Sequence, residues 1–149
     1  MDDIKQLMAR FSKKLHKAIG TDAPRRAAQV AVRMFKDNFD KEGFFGKGWK
    51  DVKRRTDPPK GKKGKAASKH RILTGYTGNL RRSVQFELGD GEATVFSDLP
   101  YSAVHNEGLR TGRGKGFTMP RRQFIGDHEK LREAMKKAVE DELNKAFNH

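Results

Sequence analysis

The sequence predicts an α+β fold: an N-terminal helix pair, a central antiparallel β-hairpin or small sheet with short helices, and a long C-terminal helix. Three observations predict it. Apolar residues recur at three- and four-residue steps between residues 4 and 39, and the same period returns over residues 131–147. Between them, apolar and polar residues alternate on either side of Asp90-Gly91, the pattern of two half-buried strands joined by a tight turn. With 149 residues, 34% hydrophobic and 35% charged, the chain has material for one modest core. A single domain is expected, with N-terminal helices over 1–43, a basic arm over 53–71, a β-containing core over 72–126 and a final helix over 127–149.

Ile4, Leu7, Met8, Phe11, Leu15 and Ile19 form one apolar stripe at helical spacing. Gly20 reads as the stop, since glycine is favoured just past a helix C-terminus. Thr21 or Asp22 then caps a second helix, where Pro24 is tolerated in the first turn because the amide it lacks would be unpaired there. Ala27, Val30, Ala31, Met34, Phe35 and Asn38 or Phe39 continue its buried face, and the two helices are expected to pack as an antiparallel pair. Residues 43–49 space Phe44, Phe45 and Trp49 with glycines, a pattern of neither helix nor regular strand. A loop whose aromatics plug the edge of the core accounts for it. A contact surface for another subunit is the alternative, because aromatic side chains dominate interface hot spots.

Residues 53–71 hold nine Lys and Arg against one acid, Asp57, with no large apolar side chain. Nothing there offsets the entropy of ordering, which predicts a mobile arm. Thr77 or Asn79 caps a short helical turn that tucks Leu80 under the hairpin. In the hairpin Leu88 faces Ala93, Phe86 faces Val95 and Val84 faces Ser97, while Gln85 and Glu87 point the other way. Asp90-Gly91 suits its turn because both central residues of a type I′ turn need positive φ. Leu99-Pro100 ends the sheet, residues 101–107 suit a short helix stopped by Gly108, and four glycines within residues 108–116 predict a flexible loop. Met119-Pro120 opens an extended connection. Asp127 caps the last helix, along which Leu131, Met135, Val139, Leu143 and Phe147 stand four apart beside Ala134, Ala138 and Ala146.

Thirty-three Lys and Arg against nineteen Asp and Glu give a net charge of +14, a field that attracts a polyanion or an acidic protein surface. The candidate contacts to DNA or an acidic partner are Lys53, Arg54, Arg55, Lys60, Lys62, Lys63, Lys65, Arg110, Arg113 and Lys115. Binding through them would be salt-dependent and blind to base sequence. Neither a zinc-finger spacing nor aromatics interleaved for base stacking accompany them. The absence of cysteine excludes disulfides and thiolate metal sites and fits a reducing compartment. No apolar run reaches bilayer-spanning length and the first residues lack a signal-peptide core, so a soluble cytoplasmic product without membrane contact is expected.

Little points to catalysis. His16, His70, His105, His128 and His149 show no three- or four-residue pairing of a helical metal site. His105 alone has polar neighbours, Tyr101 and Asn106, yet no nucleophile or acid partner accompanies it. The run GLRTGRGKG at 108–116 lacks the GxxxxGK[ST] order of a phosphate loop. No catalytic residue, metal or cofactor is expected.

Four short blocks stand in order: Gly48-Trp49; Ile72-Leu73 with Thr77-Gly78-Asn79-Leu80 and Ser83; Tyr101, Ala103, His105, Asn106 and Gly108; Met119-Pro120 with Arg122 and Phe124-Ile125-Gly126. Together they resemble the phage virion morphogenesis family over roughly residues 45–126. Arg121 stands where that family usually has a small residue, and Gln123 where it often has proline. The resemblance implies a non-enzymatic protein of tail completion or head–tail joining, located in the virion tail or neck and assembled in the host cytoplasm. It implies a ring of about six copies, contacts to other tail and neck proteins, and DNA passing through the lumen. The interface candidates are Phe44, Phe45, Trp49, Tyr101, His105, Asn106, Met119, Pro120, Arg122 and Phe124. A small basic protein binding nucleic acid without sequence preference is the alternative. An enzyme using His105 with Arg121 and Arg122 on a phosphoryl substrate ranks third.

Overall fold

The structure, a computed structural model, describes residues 3–148. It is α+β. Helices α1 (Ile4–Lys17) and α2 (Ala23–Asp40) are joined by a π-helical turn, Ala18–Asp22. There follow a two-residue strand pair, β1 (Gly43–Phe44) and β2 (Lys47–Gly48), and three short helices, α3 (Lys53–Thr56), α4 (Lys62–Ser68) and α5 (Asn79–Ser83). Strands β3 (Val84–Gly89) and β4 (Glu92–Ser97) form the central hairpin; then come α6 (Ser102–Glu107), the strand pair β5 (Arg110–Thr111) and β6 (Phe117–Thr118), and the long α7 (Glu129–Phe147). All three sheets are two-stranded. The chain divides into two compact units, each built from separated stretches. The first takes the chain up to Arg33, Phe86–Val95 and the chain from Asp127; the second takes Met34–Gln85 and Phe96–Gly126.

In the first unit the helical period holds, but Gly20 does not stop the helix. The expected antiparallel pair is instead one continuous helical path through the π turn, closed by the Ala23 amide bonding the Ala18 carbonyl. Pro24 supplies the reason. In a regular helix its N–H would bond the Gly20 carbonyl, and proline has none. Widening by one residue accommodates the ring and leaves that carbonyl available, and the amide of Gly91 in the hairpin turn takes it at 3.0 Å. Gly20 is thus where the turn docks. Within this unit Ala18, Ala23, Ala28, Val30, Ala31, Leu131 and Ala138 are buried.

The two-residue turn at Asp90-Gly91 falls where the alternation predicts, but it is not of type I′: Gly91 takes positive φ, +71°, and Asp90 does not. Helix α7 starts two residues beyond the expected cap. His128, not Asp127, caps it, its Nδ1 accepting from the Lys130 amide at 3.1 Å, while Asp127 pairs with Arg132. An aspartate drawn into an ion pair leaves the amide to the neighbouring imidazole.

The second unit is centred on Phe39, in ring contact with Trp49 at 5.7 Å and Phe124 at 4.9 Å. Phe35, Ile72, Leu80 and Val84 are buried in the same unit. Two segments expected to lack regular structure have it. Residues 53–71 form α3 and α4, and residues 108–118 form the β5–β6 ladder, Arg110 opposite Thr118 and Thr111 opposite Phe117. The glycines of that loop make its tight turn: at Gly116, φ +60°, a Cβ would lie 2.5 Å from the Thr111 carbonyl oxygen. The aromatic stretch 43–49 also pairs briefly, Gly43 opposite Gly48 and Phe44 opposite Lys47. Its reading as a plug agrees with the half-buried positions of Phe44, Phe45 and Trp49.

Candidate functional site

Three of the four sequence blocks converge on the extended stretch from Met119 to Gly126 in the second unit. Several of its backbone groups have defined partners. Asn106, at the end of α6, accepts from the amides of Phe124 and Ile125 through one oxygen, both at 2.9 Å. The Arg122 amide donates to the His105 carbonyl at 2.8 Å. Trp49 donates through Nε1 to the Gln123 carbonyl at 2.8 Å, and the Met119 amide donates to the Leu109 carbonyl at 3.0 Å. The α6 helix can deliver His105 and Asn106 there because Gly108 turns the chain at φ +69°, where a Cβ would lie 2.8 Å from that of Arg121.

Arg122 is the strongest single tie. Only 6% exposed, it donates from Nε to the Lys50 carbonyl at 2.9 Å and from Nη2 to the Asp51 carbonyl at 3.1 Å. A planar guanidinium satisfies two successive carbonyls this way. Burial lowers its pKa, the Arg54 charge adding to that and the Asp51 charge opposing it. His105, half-buried beside it with Tyr101 edge-on at 6.2 Å, is held below the ordinary histidine range by burial first and by the Arg122 charge second. Its Nδ1 is buried without a hydrogen-bond partner.

Two residues outside the four blocks complete the frame. Asn38 of α2, 3% exposed, donates to the Phe124 carbonyl and accepts from the Phe45 amide, both at 3.2 Å. A polar residue on the apolar stripe of a helix was the available signal. Glu42, at φ +52°, pairs with Arg55 through both carboxylate oxygens and accepts from the Ile72 amide at 3.0 Å. Arg55 holds the Glu42 carboxyl below its usual range, against the cost of burial and with help from the Ile72 amide and the Arg71 charge. An acid just past the C-terminal end of a helix runs against the macrodipole, so nothing local in the sequence marked it. The remaining block is tied to this corner too, Arg81 and Arg71 both pairing with Asp40.

The candidate residues therefore separate. Phe124 and Arg122, expected at an interface, are buried and hold the second unit together. Asn106, Trp49 and the His105 backbone serve the same frame, whereas Tyr101 is 43% exposed. Among the basic candidates, Arg54 and Arg55 make internal ties. Arg54 donates to the carbonyls of Ala67 at 3.0 Å, His70 at 3.1 Å and Arg71 at 2.8 Å, and Arg55 reaches the His70 carbonyl at 3.1 Å. These bonds are why residues 53–71 fold without an apolar side chain to bury. Lys53, Lys60, Lys62, Lys63, Lys65, Arg110, Arg113 and Lys115 are exposed. Among the described residues no group of His, Asp or Glu could hold a metal ion, and no helix is long and apolar enough to cross a membrane. His149 lies outside the described residues.

The exposed surface of the first unit differs from that frame. No residue of α1 is buried; the start of its stripe stands open, with Ile4 75%, Leu7 58% and Met8 60% exposed, while Phe11 meets the Phe147 ring of α7 at 5.5 Å. An apolar groove of about 540 Å³ lies between α2, the hairpin tip and α7.

Comparison with known proteins is consistent with these blocks. The model of the phage virion morphogenesis family matches residues 2–144. The Mu-like prophage FluMu G protein 2 of Haemophilus influenzae is 39% identical over 49 residues, 33% of this chain and 36% of that relative. The match thus spans about a third of the relative's length. No solved structure matches.

Proposed function

Because the chain belongs to the phage virion morphogenesis family, we propose that its part in phage assembly is structural: it completes the tail or joins head to tail, closing with copies of itself into a ring. The observation that carries this reading is the use made of the family's blocks. Trp49, Asn106, Arg122 and Phe124 lock one extended stretch in place, which suits a rigid platform for docking better than a reaction centre. The exposed apolar stripe of α1 supports the same reading, since a contiguous exposed apolar face marks an interaction site. Copies joined head to tail close into a ring when the rotation between them permits, and about six copies follows family analogy. The place of this protein is then the virion tail or neck, and its chemistry is contact rather than catalysis.

The test is complementation with microscopy. A phage lacking this gene should yield heads and tails that remain unjoined or incompletely finished, and supplying the protein should restore joined particles. Purified protein should run above monomer mass and show rings in negative stain. Normal joined particles without the gene product would overturn the reading. The exposed Lys60, Lys62, Lys63 and Lys65 favour a second role in touching DNA, for which duplex binding that falls steeply with salt, independent of base sequence, is the signature.

A further inference from the structure

We infer that α1 of one copy docks in the apolar groove of the first unit of the next copy, an inference that rests on the self-association proposed above and names the surfaces that make it. The sequence writes α1 and α2 as two halves of an antiparallel helix pair, one bearing large apolar side chains and the other alanines. The π turn prevents that pair from closing within one chain. Because Ala18–Asp22 continues the helix without reversal, α1 extends about 21 Å along the same path and cannot fold back over α2.

The α1 half is consequently left open, while the α2 half is covered within its own unit except where the groove reaches its alanines. Ile4, Leu7 and Met8 stand exposed on α1, and Ala23, Ala27 and Ala31 of α2 line a groove completed by Val95 and Val139. Large side chains entering a floor of alanines is the packing of a close helix pair, supplied in this case by two copies.

Charge agrees with this occupant. Along α1 the charged residues are Lys5, Arg10, Lys13, Lys14 and Lys17, all basic. Glu92 is the charged residue lining the groove, and it is acidic. Local attraction of that kind fixes register against the general repulsion of two chains of +14. The helix and the groove are different surfaces of the same unit, so the contact is head to tail. Repeated, it generates a closed ring or a filament.

The chain has no cysteine, which makes thiol cross-linking clean. Met8→Cys and Ala27→Cys proteins, made singly and mixed with a short bismaleimide, should give a cross-linked dimer. Met8→Cys mixed with Ala66→Cys, on α4, should give far less. Ile4→Lys with Leu7→Lys changes exposed positions, so helicity by circular dichroism should be kept while self-association weakens by about tenfold or more. Wild-type protein that associates, but whose association survives both lysines and whose cross-linking ignores position 27, would remove α1 docking and leave the ring reading standing. A wild-type chain that stays monomeric at every concentration would remove the ring reading as well. Binding of monomeric wild type to anionic phospholipid vesicles, lost in the lysine variant, would replace the second copy with a lipid surface.

Discussion

Asn106 and Trp49 carry out opposite halves of one task at the extended stretch 119–126, the first accepting from its amides and the second donating to a carbonyl. Their removal should differ accordingly. Asn106→Ala orphans the amides of Phe124 and Ile125 in a site with little water, at a cost of about 2–3 kcal/mol. Trp49→Phe keeps an aromatic ring against Phe39 and loses one bond to the Gln123 carbonyl, about 1 kcal/mol. Urea unfolding of the two variants should rank them in that order; equal costs would mean that the Asn106 bonds are not the tie described. His105 adds a pH dependence. Its folded pKa is depressed, so the stability it contributes is present above the unfolded value of about 6.5 and is lost as pH falls from there through the folded value, the unfolded chain taking up the proton first. The melting temperature of the wild type should fall more steeply below about pH 6.5 than that of His105→Gln. Parallel slopes would show that His105 titrates alike in both states.

Among the elements, the π turn shows how a proline acts through the carbonyl it leaves unused. Pro24→Ala restores an N–H four residues after Gly20, which then competes with the Gly91 amide for one carbonyl. Amide exchange at Gly91 should quicken in that variant, while overall helicity holds or rises. Unchanged protection of Gly91 would detach the hairpin turn from this account. The same example marks what a reading of the sequence could reach. The hairpin was legible because its turn chemistry and its alternation are both local and agree. Gly20 was misread because its partner, Gly91, is remote in the chain, and a glycine before a proline otherwise reads as punctuation. The helices within 53–71 were not legible, for a related reason. Composition counts Arg54 and Arg55 as surface charge, whereas their guanidinium groups bond carbonyls and a carboxylate of the same unit. The frame around Arg122 was legible as a set of motif positions, but not as buried ties, because sequence order does not show which side chains meet.

For the whole molecule the dominant quantity is the +14 charge. Repulsion among so many basic groups opposes compaction, and salt shortens its reach from about 30 Å at 0.01 M to about 8 Å at 0.15 M. Thermal stability should therefore rise across that interval, read by differential scanning fluorimetry. A flat or falling curve would mean that ion pairs such as Arg55 with Glu42 outweigh the general repulsion. The two units also interleave along the chain, which crosses from one to the other after Arg33, Gln85, Val95 and Gly126. Neither is a contiguous stretch of gene. A recombination event with one breakpoint inside the coding sequence therefore exchanges neither unit whole and alone, because the first unit has stretches on both sides of the second.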